Sequence, residues 1–108
     1  MEVEKMIYAL GIPIRYQIFQ ALLERRHCVR SLAKKMNVSE AAISQHLKIM
    51  KEAGLVYGEK YGYHTHYMPR QEAIDLICEK FQRMREQSIK LKREEINCQC
   101  EYREEKKV

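Results

Sequence analysis

The sequence contains little glycine or proline, and it has no internal repeat or low-complexity segment. Only four Gly and two Pro occur among its 108 residues. Together with 45% hydrophobic and 32% charged residues, this composition excludes a disordered or fibrous chain and indicates a helix-rich globular one. The length is that of a single domain.

Targeting and catalytic signals are also lacking. The N-terminus has no basic segment followed by an unbroken apolar run, and no segment approaches the roughly 20 apolar residues that span a bilayer. We therefore expect a cytoplasmic protein with no membrane partner. The sequence also has no nucleophile paired with a base, no paired-carboxylate motif and no glycine-rich phosphate loop, so we do not expect an enzyme.

Basic residues outnumber acidic ones, and the excess is local. Twenty Lys and Arg oppose fifteen Asp and Glu, which gives a formal charge of +5. Between residues 24 and 66 there are eight basic and four acidic residues. This excess favours a nucleic acid partner, because each neutralised phosphate releases bound counterions. An ordinary solvated surface is the alternative interpretation.

The spacing of apolar residues predicts four helices in the first half of the chain. Pro13 suits a first helical position, Ser39 is a favourable N-cap, and Gly54 is a favourable helix stop. The third and fourth helices are joined by a four-residue turn. The predicted helices cover residues 1–10, 13–23, 29–36 and 40–53.

A hairpin and a long helix follow. Residues 55–60 and 63–68 are rich in Val, Tyr and Thr, and they flank Tyr61 and Gly62, which we expect to form a tight turn. From Gln71 the apolar spacing is helical again. This order of elements is typical of a winged helix-turn-helix, so we predict a mainly α fold with a two-stranded wing. One domain is expected over residues 1–96, followed by a charged tail over residues 97–108.

The polar face of the fourth helix and the wing are the predicted DNA-binding surface. The second helix of such a pair enters the major groove, where Gln45 can pair with adenine and Lys48 suits guanine or phosphate. Plain solvent exposure is the alternative for each residue. The predicted contacts are Ser39, Glu40, Ala41, Ala42, Ser44, Gln45, His46 and Lys48 on the helix, and Lys60, Tyr61, Gly62, Tyr63 and His64 on the wing.

The helices at the two ends of the chain carry apolar stripes that a second copy could cover. The predicted dimer interface consists of Val3, Met6, Ile7, Leu10, Ile74, Ile77, Phe81 and Met84.

The same apolar stripes allow a different function. The stripes could bind a foreign protein, in which case the chain would be a winged-helix interaction module without its own operator.

Two segments resemble the ArsR/SmtB family of bacterial regulators. They are ALGIPIRYQIFQALL and SLAKKMNVSEAAISQHLKIMKEAGLVYGEKYGYHTHYMP, and the likeness covers about residues 5 to 70. The segment SEAAISQHLKIMKEAGLV resembles the family's recognition helix and the start of its wing. The resemblance implies a homodimeric repressor that binds a palindromic operator and is released when an effector binds.

The sequence departs from the family pattern at two places. The family often has an Asp before the proline of the second helix, whereas Ile12 leaves that N-cap vacant here. The family's paired-cysteine metal motif would begin at Cys28, but Arg30 stands where the second thiolate is expected. The family's other metal site, on the last helix, looks absent, because only Asp75 and Glu79 are available there.

Four cysteines suggest what an effector would bind. Cys28, Cys98 and Cys100 could hold a thiophilic metal or trivalent arsenic, since soft ions prefer thiolates; we expect Cys28 to lie outside the DNA-reading surface. The alternatives are a reversible disulfide or polysulfide bridge between Cys28 and a tail cysteine, and no sensing role at all. Cys78 is expected to be a small core residue. No cofactor is expected to be required for folding.

Overall fold

Five helices and one hairpin make up the part of the chain that is described. The computed structural model describes residues 2–93. The elements are α1 (Val3–Leu10), α2 (Pro13–Glu24), α3 (Val29–Met36), α4 (Glu40–Glu52), β1 (Val56–Tyr61), β2 (His64–Pro69) and α5 (Gln71–Arg93). The predicted mainly α winged helix-turn-helix is confirmed. The predicted tail over residues 97–108 lies outside the described residues.

The ends of the central helices follow from local sequence. The Ser39 hydroxyl accepts a 3.1 Å hydrogen bond from the Ala42 N–H at the start of α4. At the start of α3, the Cys28 sulfur accepts a 3.4 Å hydrogen bond from the Ser31 N–H. Gly54 follows α4 with a φ of 84°, the left-handed conformation that ends helices and that glycine adopts without strain.

One apolar core joins all five helices and β1. It contains Met6, Ala9, Ile18, Phe19, Ala21, Leu22, Leu32, Ala33, Ile43, Leu47, Met50, Leu55, Val56 and Ala73. This core corrects one member of the predicted dimer interface. Met6 is 0% exposed within a single chain, so it stabilises the fold and has no surface left to offer a second copy.

The hairpin turn differs by one residue from the prediction. Tyr61 still pairs with His64 in the antiparallel ladder, so the two turn residues are Gly62 and Tyr63. The turn begins at Gly62 because its first position has a φ of 65°, which suits glycine. Residues with side chains rarely adopt this φ.

The long last helix leaves the core along its length. Ala73 is its buried residue, and Ile74 and Ile77 pack partly against the core. Every residue from 81 to 93 is exposed, so the second half of the apolar stripe of α5 is uncovered in the single chain. Cys78 is exposed, and the expectation that it is a core residue is wrong.

Across residues 2–93, no single helix is long and apolar enough to cross a membrane. The helices α1 and α2 meet that test only as a pair, and the chain bends by 101° between them. Both helices also supply fully buried core residues, Met6 and Ile18.

Candidate nucleic-acid interface

The helix α4 has one apolar face and one polar face. Ile43, Leu47 and Met50 recur at intervals of three and four and are at most 1% exposed, which fixes the rotation of the helix on the core. The remaining face is open to solvent, as predicted. Its exposed residues include Glu40, Ala41, Ser44, Gln45 and Lys48, preceded by the exposed N-cap Ser39; Ile49, Lys51 and Glu52 are exposed as well.

Two of the predicted contacts on α4 are partly covered. Ala42 and His46 are both half-buried, and the His46 Nδ1 atom is enclosed without a hydrogen-bond partner among the described residues. Burial, and then the positive charge of Arg15, lower the pKa of His46. His46 is therefore neutral at pH 7, and it presents less surface to a groove than Gln45 beside it.

The wing tip exposes all five residues that the sequence selected there. Lys60, Gly62 and His64 are exposed, Tyr61 is 43% exposed, and Tyr63 is 105% exposed, which means that it projects fully into solvent. A basic and aromatic tip of this kind can lie along phosphates or enter a minor groove.

Tyr61 also anchors the wing to the body of the protein. Its hydroxyl accepts a hydrogen bond of 2.6 Å from the Arg26 guanidinium and donates one of 3.3 Å to the Glu59 carboxylate. The His66 ring stacks on the Tyr61 ring with centroids 4.8 Å apart. Sequence reasoning missed Arg26, because nothing local to the Arg25–Arg26 pair indicates a partner 35 residues away.

A second link joins the wing to the segment before α3. His27 and Tyr67 form an isolated antiparallel bridge, with N···O distances of 3.4 and 2.8 Å. The His27 Nδ1 atom lies 2.7 Å from the Ser31 hydroxyl. Burial of the ring, followed by the charges of Arg25 and Lys35, lowers the pKa of His27. The His27 backbone therefore joins the wing to the segment before α3, while its buried ring contacts Ser31.

One cleft lies between α3, α4 and the wing. It has a volume of about 400 Å³, and Cys28, Arg30, Glu40, Tyr63 and His64 are among the residues that line it. The start of α4 and the wing tip therefore border the same space. Cys28 lines the same cleft as three predicted DNA contacts, Glu40, Tyr63 and His64, rather than lying apart from them.

The predicted thiolate site is only partly within the described residues. Cys98 and Cys100 lie outside them, and within residues 2–93 no three His, Cys, Asp or Glu side chains are grouped to hold a metal ion. On α5, the Asp75 carboxylate accepts a hydrogen bond from Gln71. The Glu79 carboxylate is paired with Arg83.

The middle of the chain matches a known family. The sequence profile of the family described as bacterial regulatory protein, arsR family, matches residues 13–57, which run from the start of α2 into β1. An uncharacterized HTH-type transcriptional regulator of Bacillus subtilis, YbzH, is 31% identical, and the match covers 73% of this chain and 94% of that protein. This chain belongs to the ArsR family. The predicted family is confirmed, and its members are described as bacterial regulatory proteins.

The ArsR family protein is also similar to repressors of known name. The HTH-type transcriptional repressor SmtB of Mycobacterium tuberculosis is 40% identical over 63 residues, which are 58% of this chain and 47% of that protein. A SmtB homolog of Synechocystis is 37% identical over 59 residues, or 45% of its length. The chain thus spans about half the length of these SmtB relatives.

Solved structures share the fold of this ArsR family protein. A crystal structure of a possible transcriptional regulator for arsenical resistance is 29% identical with a TM-score of 0.69, and the likeness covers 74% of this chain and 83% of that one. An ArsR-like regulator from Rhodococcus sp. RHA1 is 25% identical with a TM-score of 0.70, over 87% and 94% of the two chains.

Proposed function

We propose that this ArsR family protein is a transcriptional repressor that binds double-stranded operator DNA sequence-specifically. One observation carries the proposal: Glu40 at the start of α4 and Tyr63 and His64 at the wing tip border the same cleft. The exposed polar face of α4 and the exposed wing can therefore engage one duplex together, with α4 in the major groove and the wing on the flanking backbone.

The residue types on α4 suit base recognition. Gln45 can donate to N7 and accept from N6 of adenine, Lys48 can donate to guanine or phosphate, and the Ala41 methyl can meet a thymine methyl. On the wing, Lys60 neutralises phosphate charge. The half-buried Ala42 and His46 support these neighbours rather than read bases themselves.

We also propose that two copies bind a palindromic operator. The outer surface of α1, α2 and α5 carries two adjoining apolar cavities of about 180 and 230 Å³, which share Leu10, Tyr16 and Ile77. Tyr16 and Phe81 are 51% and 50% exposed there, which is unfavourable in water. A second copy would cover this surface and create a twofold axis, and a twofold protein matches a palindromic site.

An effector that binds thiols would regulate the DNA complex. The Cys28 sulfur lies at the N-terminus of α3, where negative charge is favoured, and in the cleft beside the DNA-binding residues. A thiophilic metal or metalloid bound by Cys28 with Cys98 and Cys100 would compete with DNA for this space or reorient α3. A reversible disulfide of Cys28 is the alternative regulatory chemistry.

Fluorescence anisotropy on duplexes selected from a random pool tests the repressor proposal. We expect the selected duplex to bind at least about a thousandfold more tightly than random sequence, with affinity that falls steeply as salt rises. Equal binding to all duplexes would contradict sequence-specific recognition. Absence of salt-dependent binding, with association to another protein instead, would favour the interaction-module alternative.

The same assay tests regulation. Operator affinity is measured with As(III), Cd(II), Cu(I), persulfide and oxidant, in the wild type and in Cys28→Ser and Cys98→Ser variants. We expect one of these reagents to weaken DNA binding in the wild type and to lose its effect in Cys28→Ser. Indifference of the wild type to all five would remove the sensing role of the thiols and leave DNA binding in place.

A further inference from the structure

Arg15 is a buried positive charge without a counter-charge among residues 2–93. It is 7% exposed, and its Nε atom is enclosed with no hydrogen-bond partner in the described part of the chain. None of the ion pairs found within residues 2–93 includes it. Burial of a charge is unfavourable unless that charge is paired, so this side chain has the properties of one half of a charge pair.

The N-terminus of α2, where Arg15 lies, has unsatisfied donors as well. Ile12 provides no side-chain cap, Pro13 has no N–H, and the first turn contains no acidic residue. The Tyr16 N–H donates to the Ile12 carbonyl at 3.0 Å, which leaves the N–H groups of Ile14 and Arg15 without a capping side chain. These groups carry the positive end of the helix dipole.

Arg15 belongs to the same helix turn as these free N–H groups. Side chains of an α-helix lean toward its N-terminus, and Arg15 is the third residue of a helix that starts at Pro13. We therefore expect its side chain to lean toward the uncapped turn. The 12-residue α2 thus begins with two free backbone donors and a buried cation that converge on one end.

This end of α2 lies beside the recognition helix. The helices α2 and α4 pack against each other, and burial, followed by the charge of Arg15, lowers the pKa of His46 on α4. A histidine cannot balance the charge of a guanidinium in either protonation state. These donors thus belong to a helix that packs on α4, and in the proposed complex the backbone of the duplex would pass beside them.

We propose that the N-terminal turn of α2 and the Arg15 side chain form a phosphate-binding site that holds one phosphodiester of the operator backbone. This inference rests on the proposed DNA-binding function. A phosphate supplies the negative charge and the acceptors that Arg15 and the two N–H groups lack. Such a contact carries no sequence information, but it sets the register of α4 in the groove.

The salt dependence of operator binding in Arg15→Met tests the site. Met keeps the bulk of the side chain and removes the charge, so circular dichroism should show a folded protein. We expect weaker binding to specific and random duplexes alike, and a slope of log K against log salt that is smaller by about 0.9 per protomer. Arg85→Met, which removes an exposed charge on α5, is the matched control and should leave the slope unchanged.

Neutral phosphate analogues provide a second readout that does not require the variant to be stable. One methylphosphonate is placed at successive backbone positions of the operator. We expect a position in each half-site whose substitution weakens the wild type and has no effect on Arg15→Met. If Arg15→Met is unfolded, Arg15→Lys replaces it, and Lys should retain the salt slope while losing affinity.

Free phosphate is the competing ligand. Thermal unfolding without DNA compares phosphate with chloride at equal ionic strength. If phosphate stabilises the wild type but not Arg15→Met, while both proteins show the same DNA salt slope, the site takes a free anion and the operator assignment is wrong. A wild type that binds no duplex would instead overturn the proposed function itself.

Discussion

Arg26 donates a hydrogen bond of 2.6 Å to the Tyr61 hydroxyl across 35 residues of sequence, and its guanidinium carbon lies 5.3 Å from the Tyr61 ring centroid. The contact ties the loop after α2 to the strand that leads to the wing tip. It therefore couples the orientation of the wing to the helical body, and both groups are exposed.

Tyr61→Phe should loosen the wing without unfolding the protein. The change removes the hydroxyl that Arg26 and Glu59 share and keeps the ring that stacks on His66. Because the bond is exposed, we expect a loss of about 1 kcal/mol or less in unfolding free energy. Amide hydrogen exchange in β1 and β2 should become faster. Tyr63→Phe is the control and should leave exchange unchanged, since Tyr63 projects into solvent.

Gln45→Ala and Lys60→Ala should have different effects on operator binding. Loss of a bidentate base contact by Gln45 is expected to cost about 1–3 kcal/mol of discrimination at one base pair. Loss of Lys60 should weaken all duplexes alike and reduce the salt slope by about 1. Fluorescence anisotropy with single-base operator variants, at several salt concentrations, measures the loss of discrimination and the change in salt slope. A uniform effect of Gln45→Ala, matching that of Lys60→Ala, would contradict base recognition by α4.

Phe81→Glu should convert a dimer into a folded monomer. Phe81 is 50% exposed in the single chain, so a charged residue there is tolerated by the monomer but not by an interface formed from α1, α2 and α5. Sedimentation velocity gives the oligomeric state. Tyr8→Glu is a matched control, because Tyr8 is 78% exposed in the cavity between α1 and α4. A wild type that sediments as a monomer would exclude the dimer.

Unfolding free energy should fall in acid because of His27. Its pKa is lowered below 6.5 in the folded chain, mainly by burial. The unfolded chain then binds more protons below pH 6.5, so the stabilisation is complete above that pH and is lost progressively as the pH falls. Urea unfolding between about pH 8 and about pH 5 measures it. His27→Gln should reduce the pH dependence and leave the part that His46, whose pKa is also lowered mainly by burial, contributes, whereas the exposed His64→Gln should not change it.

Gly58→Ala should destabilise the wing by steric contact. A Cβ at this position would lie 2.7 Å from Thr65 Cγ2 and 3.2 Å from Tyr67 Cε1, and both atoms belong to the facing strand. Overpacking of this kind typically costs about 1–3 kcal/mol. Urea unfolding gives the difference. Gly62→Asn is the comparison, because it has open space around it and Asn tolerates positive φ, so its effect should be smaller.

Local patterns were sufficient to predict the helices that position the interface. Ile43, Leu47 and Met50 set the buried face of α4, and this rotation leaves Gln45 and Lys48 in solvent without any further information. The Ser39 cap and the Gly54 stop depend on neighbouring residues only, so they too are readable from sequence. The vacant cap at Ile12 was likewise visible before the fold was known.

The register of the turn and the roles of several side chains depended on the tertiary structure. The pairing of Tyr61 with His64 moved the turn to Gly62 and Tyr63, because ladder hydrogen bonds involve both strands at once. Whether an apolar residue is core or interface is a property of what packs on it, which is why Met6 and Cys78 were misassigned.

The amino-acid sequence by itself determined the order of elements, the polar face of α4 and the family, since all three depend on contiguous patterns. The tertiary structure decided that Cys28 shares a cleft with the wing and that Arg26 holds Tyr61. It also decided that Arg15 is buried, on a helix that packs against α4, with no counter-charge in the described part of the chain. These contacts join residues far apart in the chain, and their energies arise only when packing brings them together.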